Sequence, residues 1–411
     1  TVLFSRNDVL AYLTDMGGTT SHSALLARSL KIPSVVGLKT FSKNVQTGDY
    51  VIVDGYNGSV IQHPTRATIR KYKEMKEEHR IFDLALKQIR TMEAETLDGK
   101  KVDLSGNIEF SEEGDFIKEQ GAHGIGLYRT EGLFIREDDD PSEEVQRQEY
   151  AEILKGALPY KVVMRTLDVG GDKVVTSAIE EENPFLGWRG IRISLDRPEI
   201  FLRQVRAMLR ASVHGKAWIM LPMISGVKEV RRAKELIEQA KKELRNARVP
   251  FDEEIKIGAM IEVPSAAVTA GDIAAEVDFL SIGTNDLIQY LIAVDRGNEV
   301  VSHLYQEFHP AVVQTIAHII NEGHRVGKHV AMCGEMAGDP IATLLLLGLG
   351  LDEFSVTPIV LPEIKKIIRS IRFSEAKEVA EHCLTMKTEE EIREFLRINV
   401  HQMVPDLLLP E

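Results

Sequence analysis

Cysteine is scarce in this chain of 411 residues: there are two, Cys333 and Cys383, in contexts that match neither a disulfide framework nor a metal knuckle. Their scarcity points to a reducing, cytoplasmic home. No apolar run approaches the roughly 20 residues needed to span a bilayer, and the opening TVLFSRNDVL lacks the basic, apolar, small-residue order of a secretion signal. Positive charge is outweighed, with 50 Lys and Arg against 63 Asp and Glu and a net charge of −13. That balance excludes an overall basic field for nucleic acid or an anionic membrane, so any anionic ligand must be met by local arginines. Low-complexity tracts and short-period repeats are missing too, which excludes solenoids and fibrous arrays. A starting methionine is also lacking. The first residues read as the inside of a β-strand, so the chain is expected to be cut from something longer.

What is there is a core-forming composition, 44% hydrophobic, long enough for two or three domains or for one large barrel with an appendage. Residues 1–62 alternate short apolar strands with glycine turns, a small α/β unit too short to be complete. At its centre Gly17, Gly18, Thr19, Thr20 and Ser21 lead into His22, and Leu25, Leu26 and Leu30 follow at helical spacing. A histidine at a helix mouth meets converging N–H groups and the positive end of the helix dipole, where an anionic group on the ring is stabilised. Residues 66–98 are dense in charge with a narrow apolar stripe and predict a linker helix, with a coiled-coil segment as competitor. From 102 to 411, eight strand-like segments alternate with amphipathic helices, which fits a (β/α)₈ barrel better than an open sheet.

In such a barrel, chemistry gathers at the C-terminal ends of the strands. Arg129 stands there in the second segment, Arg165 and Asp168 in the third, Glu262 in the fifth, Asn285 and Asp286 in the sixth, and Cys333 in the seventh. Arg189 and Arg296 lie on loops within reach of the same rim. Two carboxylates with an adjacent amide are hard oxygen ligands suited to Mg²⁺. The arginines offer planar forks for phosphate and carboxylate. Singly, Glu262 and Asp286 also read as helix caps or arginine partners, Arg189 as a structural ion pair, and Cys333 as a buried thiol. Together they suit a small substrate bearing both a phosphate and a carboxylate.

The stretches GGTTSHSALLARSLKIPSVVG, GIGLYRTEGLF, ENPFLGWRGIR, SIGTNDLIQYLIAVDRGNE and MCGEMAGD closely resemble the Enzyme I family of the bacterial sugar phosphotransferase system, the phosphoenolpyruvate–protein phosphotransferases. The resemblance implies an α/β fold: a C-terminal TIM barrel preceded by a partial swivelling phosphohistidine domain and a linker helix. It implies that His22 is phosphorylated on Nε2, that Arg129, Arg165 and Arg296 hold phosphoenolpyruvate with Asn285 and Asp286, and that Arg189 is a further arginine of the site. Glu262 and Asp286 would bind Mg²⁺, and Cys333 would protonate the departing enolate to give pyruvate. The implied partners are the histidine phosphocarrier protein and a second copy bound through the barrel. Only the last part of the phosphohistidine domain is expected, so transfer onward to the carrier is expected to be poor. A phosphoenolpyruvate synthase or pyruvate phosphate dikinase is the nearest alternative, but there a cysteine usually precedes the histidine, where Ser21 stands here. A non-catalytic phosphoenolpyruvate sensor is the other, against which the intact His22, Glu262, Asp286 and Cys333 argue.

Overall fold

Eight apolar segments become eight parallel strands that close on themselves. They are β1 (Asp103–Ile108), β2 (Gly124–Arg129), β3 (Lys161–Arg165), β4 (Lys216–Leu221), β5 (Lys256–Ile261), β6 (Phe279–Ile282), β7 (His329–Met332) and β8 (Glu353–Val356). Each pairs with the next, and β8 returns to β1 in the register Glu353↔Asp103 to Val356↔Gly106. The computed structural model describes residues 9–16, 32–55, 57–136, 141–170, 181–298 and 300–407. Helices cover the outside of the ring, so the strands are buried on both faces and read as near-continuous apolar runs. The fold is the (β/α)₈ barrel that the sequence pattern predicts.

The covering helices follow from ordinary signals. Pro198, Pro310 and Pro340 each occupy a first turn, where a missing N–H costs nothing. Asp339 caps its helix by accepting from the backbone of Ile341 and Ala342. Helix Val227–Asn246 buries Val230, Ala233, Leu236, Ile237, Ala240 and Leu244, the three-and-four spacing of one inward face. Inside the ring, Leu127, Val163, Met220, Met260, Phe279 and Cys333 pack together. Among the described residues no helix is long and apolar enough to cross a membrane.

The chain divides into two units, Thr1–Ala85 with Asp406–Glu411, and Leu86–Pro405, which holds the barrel. In the first, Tyr12–Leu13 pairs parallel with Ser34–Val35, and Val51–Asp54 forms an antiparallel hairpin with Ser59–Gln62. The expected early strand at 2–4 and the helix after His22 lie outside the described residues.

The long helix runs over Arg66–Ile89, and none of its residues is buried. It stops short of the 98 that charge density suggests. The cause lies in carbonyls captured by the barrel's last helices. Lys365 Nζ donates to the carbonyl of Arg90 at 2.6 Å and Arg369 to that of Glu93 at 2.7 Å. Asp98 accepts from the backbone N–H groups of Phe373 and Ser374. The segment after Ile89 is therefore docked chain rather than helix.

At the N-terminal mouth of the barrel, the Glu353 carboxylate, which is 2% exposed, accepts from Lys161 Nζ at 2.6 Å, Ser105 Oγ at 2.6 Å and the His329 ring at 2.9 Å. Burial raises the pKa of this group, but Lys161 and His329 outweigh it and hold the carboxyl at about 2 against an ordinary 4.5. A group held down in this way stabilises the fold above its unfolded pKa and loses that contribution as pH falls through its folded one. Glu353→Gln is expected to cost about 3 kcal/mol at pH 7, with the gap to wild type narrowing as pH falls from 5 towards 2. Denaturant unfolding across that range measures it. A gap that does not change with pH would show that the ion pair contributes nothing.

Candidate functional site

Arg129 and Arg165 end β2 and β3 as register partners, so the strand pairing itself sets their Cα atoms side by side. The Arg165 guanidinium is met by two carboxylates: Glu131 Oε1 lies 3.1 Å from Nη2, and Asp168 Oδ2 lies 2.9 Å from Nη1. Glu131 also accepts the N–H of Asp168 at 2.9 Å, fixing the turn after β3. Arg189 continues the pattern, its Nη2 3.2 Å from both Asp168 and Asp286. The result is a chain of alternating charge, Arg165, Asp168, Arg189, Asp286, drawn from the end of β3, the long connection after it and the helix that leaves β6. Burial opposes the charge on both arginines, yet the flanking carboxylates prevail and both pKa values rise. Neither guanidinium loses its proton.

Glu262 follows β5 and is 2% exposed. Burial pushes its pKa above the carboxylate range, and Asp168 and Asp286 add to the rise, while Arg165 and the N–H of Met223 pull it down. That N–H reaches Glu262 Oε1 at 2.6 Å, and Met223 itself adopts a φ of +53°, a conformation that costs a bulky residue about 1 kcal/mol or more. Gly190, at φ +56°, lets the next loop pass close by, since a Cβ there would stand 2.9 Å from both Asp168 Oδ1 and Met223 Cβ. Behind these residues Gln204 joins the two strand ends. Its oxygen accepts from the Leu167 N–H at 2.9 Å and its NH₂ donates to Thr130 Oγ1 at 3.1 Å.

Cys333 closes the other side. It is buried, with Ser281 Oγ 3.3 Å from its sulfur. Burial pushes the thiol up to about 11, against the pull of Ser281, Arg165 and Arg129, so at neutral pH it carries a proton. Asn285 sits where its helix leaves β6, donating to Glu335 Oε1 at 3.1 Å and accepting the Glu335 N–H at 2.8 Å. Arg296 is exposed and reaches Glu335 at 3.4 Å. Two subsets thus form, Arg165–Arg189–Asp286 with Glu262, and Asn285–Arg296 joined through Glu335. His22 lies within 17–31, outside the described residues.

As a cation site the all-oxygen pair Glu262 and Asp286 fits Mg²⁺. Glu262, whose pKa is raised first by burial and then by Asp168 and Asp286, lies where added positive charge is stabilising. A second group, Asp103, His329 and Glu353, also has ligand atoms within 4.8 Å of one another. Each of these residues begins its strand, at the opposite mouth of the barrel from Glu262, and the Lys161 ammonium already occupies Glu353. That group is an ion-pair network.

Sequence reasoning did not single out Glu131, Met223, Ser281, Tyr290 or Glu335. Glu131 had a signal, two positions after Arg129 in YRTEGLF, and Glu335 had one, two after Cys333. The φ of Met223 left no trace in the residue type.

Residues 84–373 match the family described as PEP-utilising enzyme, PEP-binding domain, and residues 2–58 match PEP-utilising enzyme, mobile domain. A phosphoenolpyruvate-protein phosphotransferase of Haemophilus influenzae is 48% identical over 390 residues, covering 94% of this chain and 68% of that protein. Its namesake from Staphylococcus carnosus is 45% identical over 394 residues, covering 95% and 69%. The one from Buchnera aphidicola subsp. Acyrthosiphon pisum is 45% identical over 386 residues, covering 93% and 68%.

Gly334, directly after Cys333, packs against Thr284 so closely that a Cβ would lie 1.8 Å from its Oγ1 and 2.6 Å from its backbone nitrogen. Backbone cannot yield as a flexible side chain does. Gly334→Ala is therefore expected to destabilise the chain by about 1–3 kcal/mol, read as a lower midpoint in denaturant. An unchanged midpoint would mean that the two strand ends part without cost.

Proposed function

The chain belongs to the phosphoenolpyruvate–protein phosphotransferases, and from that premise we propose that its barrel binds phosphoenolpyruvate and passes the phosphoryl group to His22, from which a histidine phosphocarrier protein takes it. The observation that carries the reading is the in-register pair Arg129 and Arg165 beside the buried carboxylates Glu262 and Asp286. That pairing suits a phosphate and a carboxylate on one small molecule, with a divalent cation between anions.

In this reading Arg129, Arg165, Arg189 and Arg296 bind the anionic groups, and Asn285 orients the substrate. Glu262 and Asp286 hold Mg²⁺, which when bound offsets charge on the phosphoryl oxygens. Neutral His22 attacks phosphorus in line: the N–P bond forms, the bridging P–O bond breaks, and the enolate of pyruvate leaves. Phosphoryl transfer of this kind needs positioning and electrostatic stabilisation more than covalent chemistry. Cys333 then gives its proton to the methylene carbon of the enolate, completing pyruvate, and solvent restores the thiol. A thiol raised to about 11 suits that task, since it is protonated when the enolate forms. Residues 1–62 act as the swivelling phosphohistidine domain, 66–89 as its linker and 102–411 as the substrate barrel, to which 90–98 is docked. The family resemblance extends the reading to a cytoplasmic protein that is dimeric through its barrel and works in sugar transport.

The deciding experiment incubates the chain with phosphoenolpyruvate labelled on phosphorus and with Mg²⁺. Acid-labile label is expected on wild type and none on His22→Ala; label of equal amount on both would place the acceptor elsewhere, and none on either would favour a sensor. Glu262→Ala and Asp286→Ala are each expected to cut the rate of labelling by roughly a thousandfold or more, about 4 kcal/mol of transition-state stabilisation. Near-normal rates in both would sink the metal assignment.

Cys333→Ala is expected to keep phosphoenolpyruvate binding, measured by calorimetry, and to lose most pyruvate formation. In wild type, bound ligand should slow alkylation of the thiol. An alanine variant as fast as wild type would leave Cys333 as a packing residue of the barrel interior.

A further inference from the structure

Tyr290 stands on helix Thr284–Leu291, four residues after Asp286 and therefore on the same face. Its hydroxyl donates to the carbonyl of Phe185 and receives Arg189 Nη1 at 3.4 Å. The other terminal nitrogen of that guanidinium, Nη2, lies 3.2 Å from both Asp168 and Asp286. One nitrogen of Arg189 thus serves the carboxylates and the other serves the phenol. The turn Pro184–Leu186 that precedes Arg189 has no buried residue, and the side chains of Phe185 and Leu186 are 43% and 66% exposed. What holds it is polar: Tyr290 on the carbonyl of Phe185, and Arg192 on the carbonyls of Leu186 and Gly187 at 2.8 and 2.7 Å.

We propose that Tyr290 is a positioning residue for phosphoenolpyruvate: its hydroxyl ties Arg189, and the turn before it, to the helix that carries Asp286. The proposal rests on the assignment of Arg189 to the substrate site. Were Asp286 to hold a cation, Arg189 Nη2 would lose one carboxylate partner and be open to the substrate's anionic oxygens, while Nη1, the nitrogen that meets Tyr290, would stay tied. The phenol has to keep its proton to hold Phe185. Burial favours that state and so do the carboxylates of Asp286, Glu262 and Asp168, with Arg189 pulling the other way.

The test is a double-mutant cycle on the full chain, with phosphoenolpyruvate affinity in Mg²⁺ read by calorimetry and the single-turnover rate of phosphoryl loading read alongside. Tyr290→Phe keeps the ring and its packing, so its melting temperature is expected to stay close to wild type. Affinity is expected to fall about five- to tenfold, with the saturated loading rate within about twofold. Arg189→Ala is expected to bind more weakly still, and adding Tyr290→Phe to it is expected to change nothing further, because the hydroxyl acts through the guanidinium. An unchanged affinity in Tyr290→Phe overturns the proposal while leaving the site assignment standing. Equal losses with and without Arg189 overturn it as well, by showing that the hydroxyl serves the fold alone. Normal affinity in Arg189→Ala removes the assignment of Arg189 itself, and Tyr290 falls with it.

Discussion

The alternating chain Arg165–Asp168–Arg189–Asp286 is the interaction on which the rim at the C-terminal mouth of the barrel depends. Its members come from the end of β3, the long connection after it and the helix that leaves β6, so no local preference of the sequence holds them together. The closed register does: β2 and β3 end together at Arg129 and Arg165, and a guanidinium as buried as that of Arg165 is tolerable only where carboxylates offset it. Glu131 and Asp168 supply that compensation and in turn fix the turn after β3. The backbone strain at Met223 and the left-handed Gly190 are the cost of bringing loops from β4 and from β3 against the same carboxylates.

A rim so arranged is not electrically satisfied, and its chemistry follows from that. Glu262 is buried where Asp168 and Asp286 already crowd it, so its pKa is driven upward and a cation nearby is stabilised. Cys333 is driven upward chiefly by burial, and so retains a proton at neutral pH. Among the described residues, Glu131 Oε2, Arg165 Nε and Thr284 Oγ1 are buried without a hydrogen-bond partner. Buried unpaired groups are expensive, and finding three around one rim is what a site completed by its ligand looks like.

Most of the barrel was legible in the sequence because burial on both faces makes parallel strands read as short apolar runs, as in Phe279–Ile282, where all four residues are buried. The strand-end residues were legible too, because a charge that closes an apolar run in this fold falls at the mouth of the barrel, where ligands are met. What was hidden depended on partners distant in the chain. The long helix stops at Ile89 because Lys365 and Arg369, some 275 positions later, take up the carbonyls that follow it. Nothing in the sequence around Tyr290 marks its hydroxyl, and only the approach of Phe185 and Arg189, more than 100 positions earlier, gives it partners. Glu131 reads as an N-terminal helix acid, a favourable but ordinary choice, until Arg165 is set against it.

The two mouths of the barrel separate stability from function with the same side-chain types. At the N-terminal mouth Glu353 is as buried as Glu262, yet Ser105, Lys161 and His329 fill its acceptor sites, and its pKa falls instead of rising. Lys161 also lies 4.5 Å from the centre of the Trp218 ring, where its stem is packed and its charge compensated. The oxygens of Glu353 are already taken, so Ser105, Lys161 and His329 gathered around it amount to a lock on the strand ends. At the C-terminal mouth the carboxylates crowd one another and the arginines are shared. An equally buried carboxylate is thus held down at the mouth where an ammonium, a hydroxyl and an imidazole fill its acceptor sites, and raised at the mouth where burial and neighbouring carboxylates outweigh one arginine and one N–H.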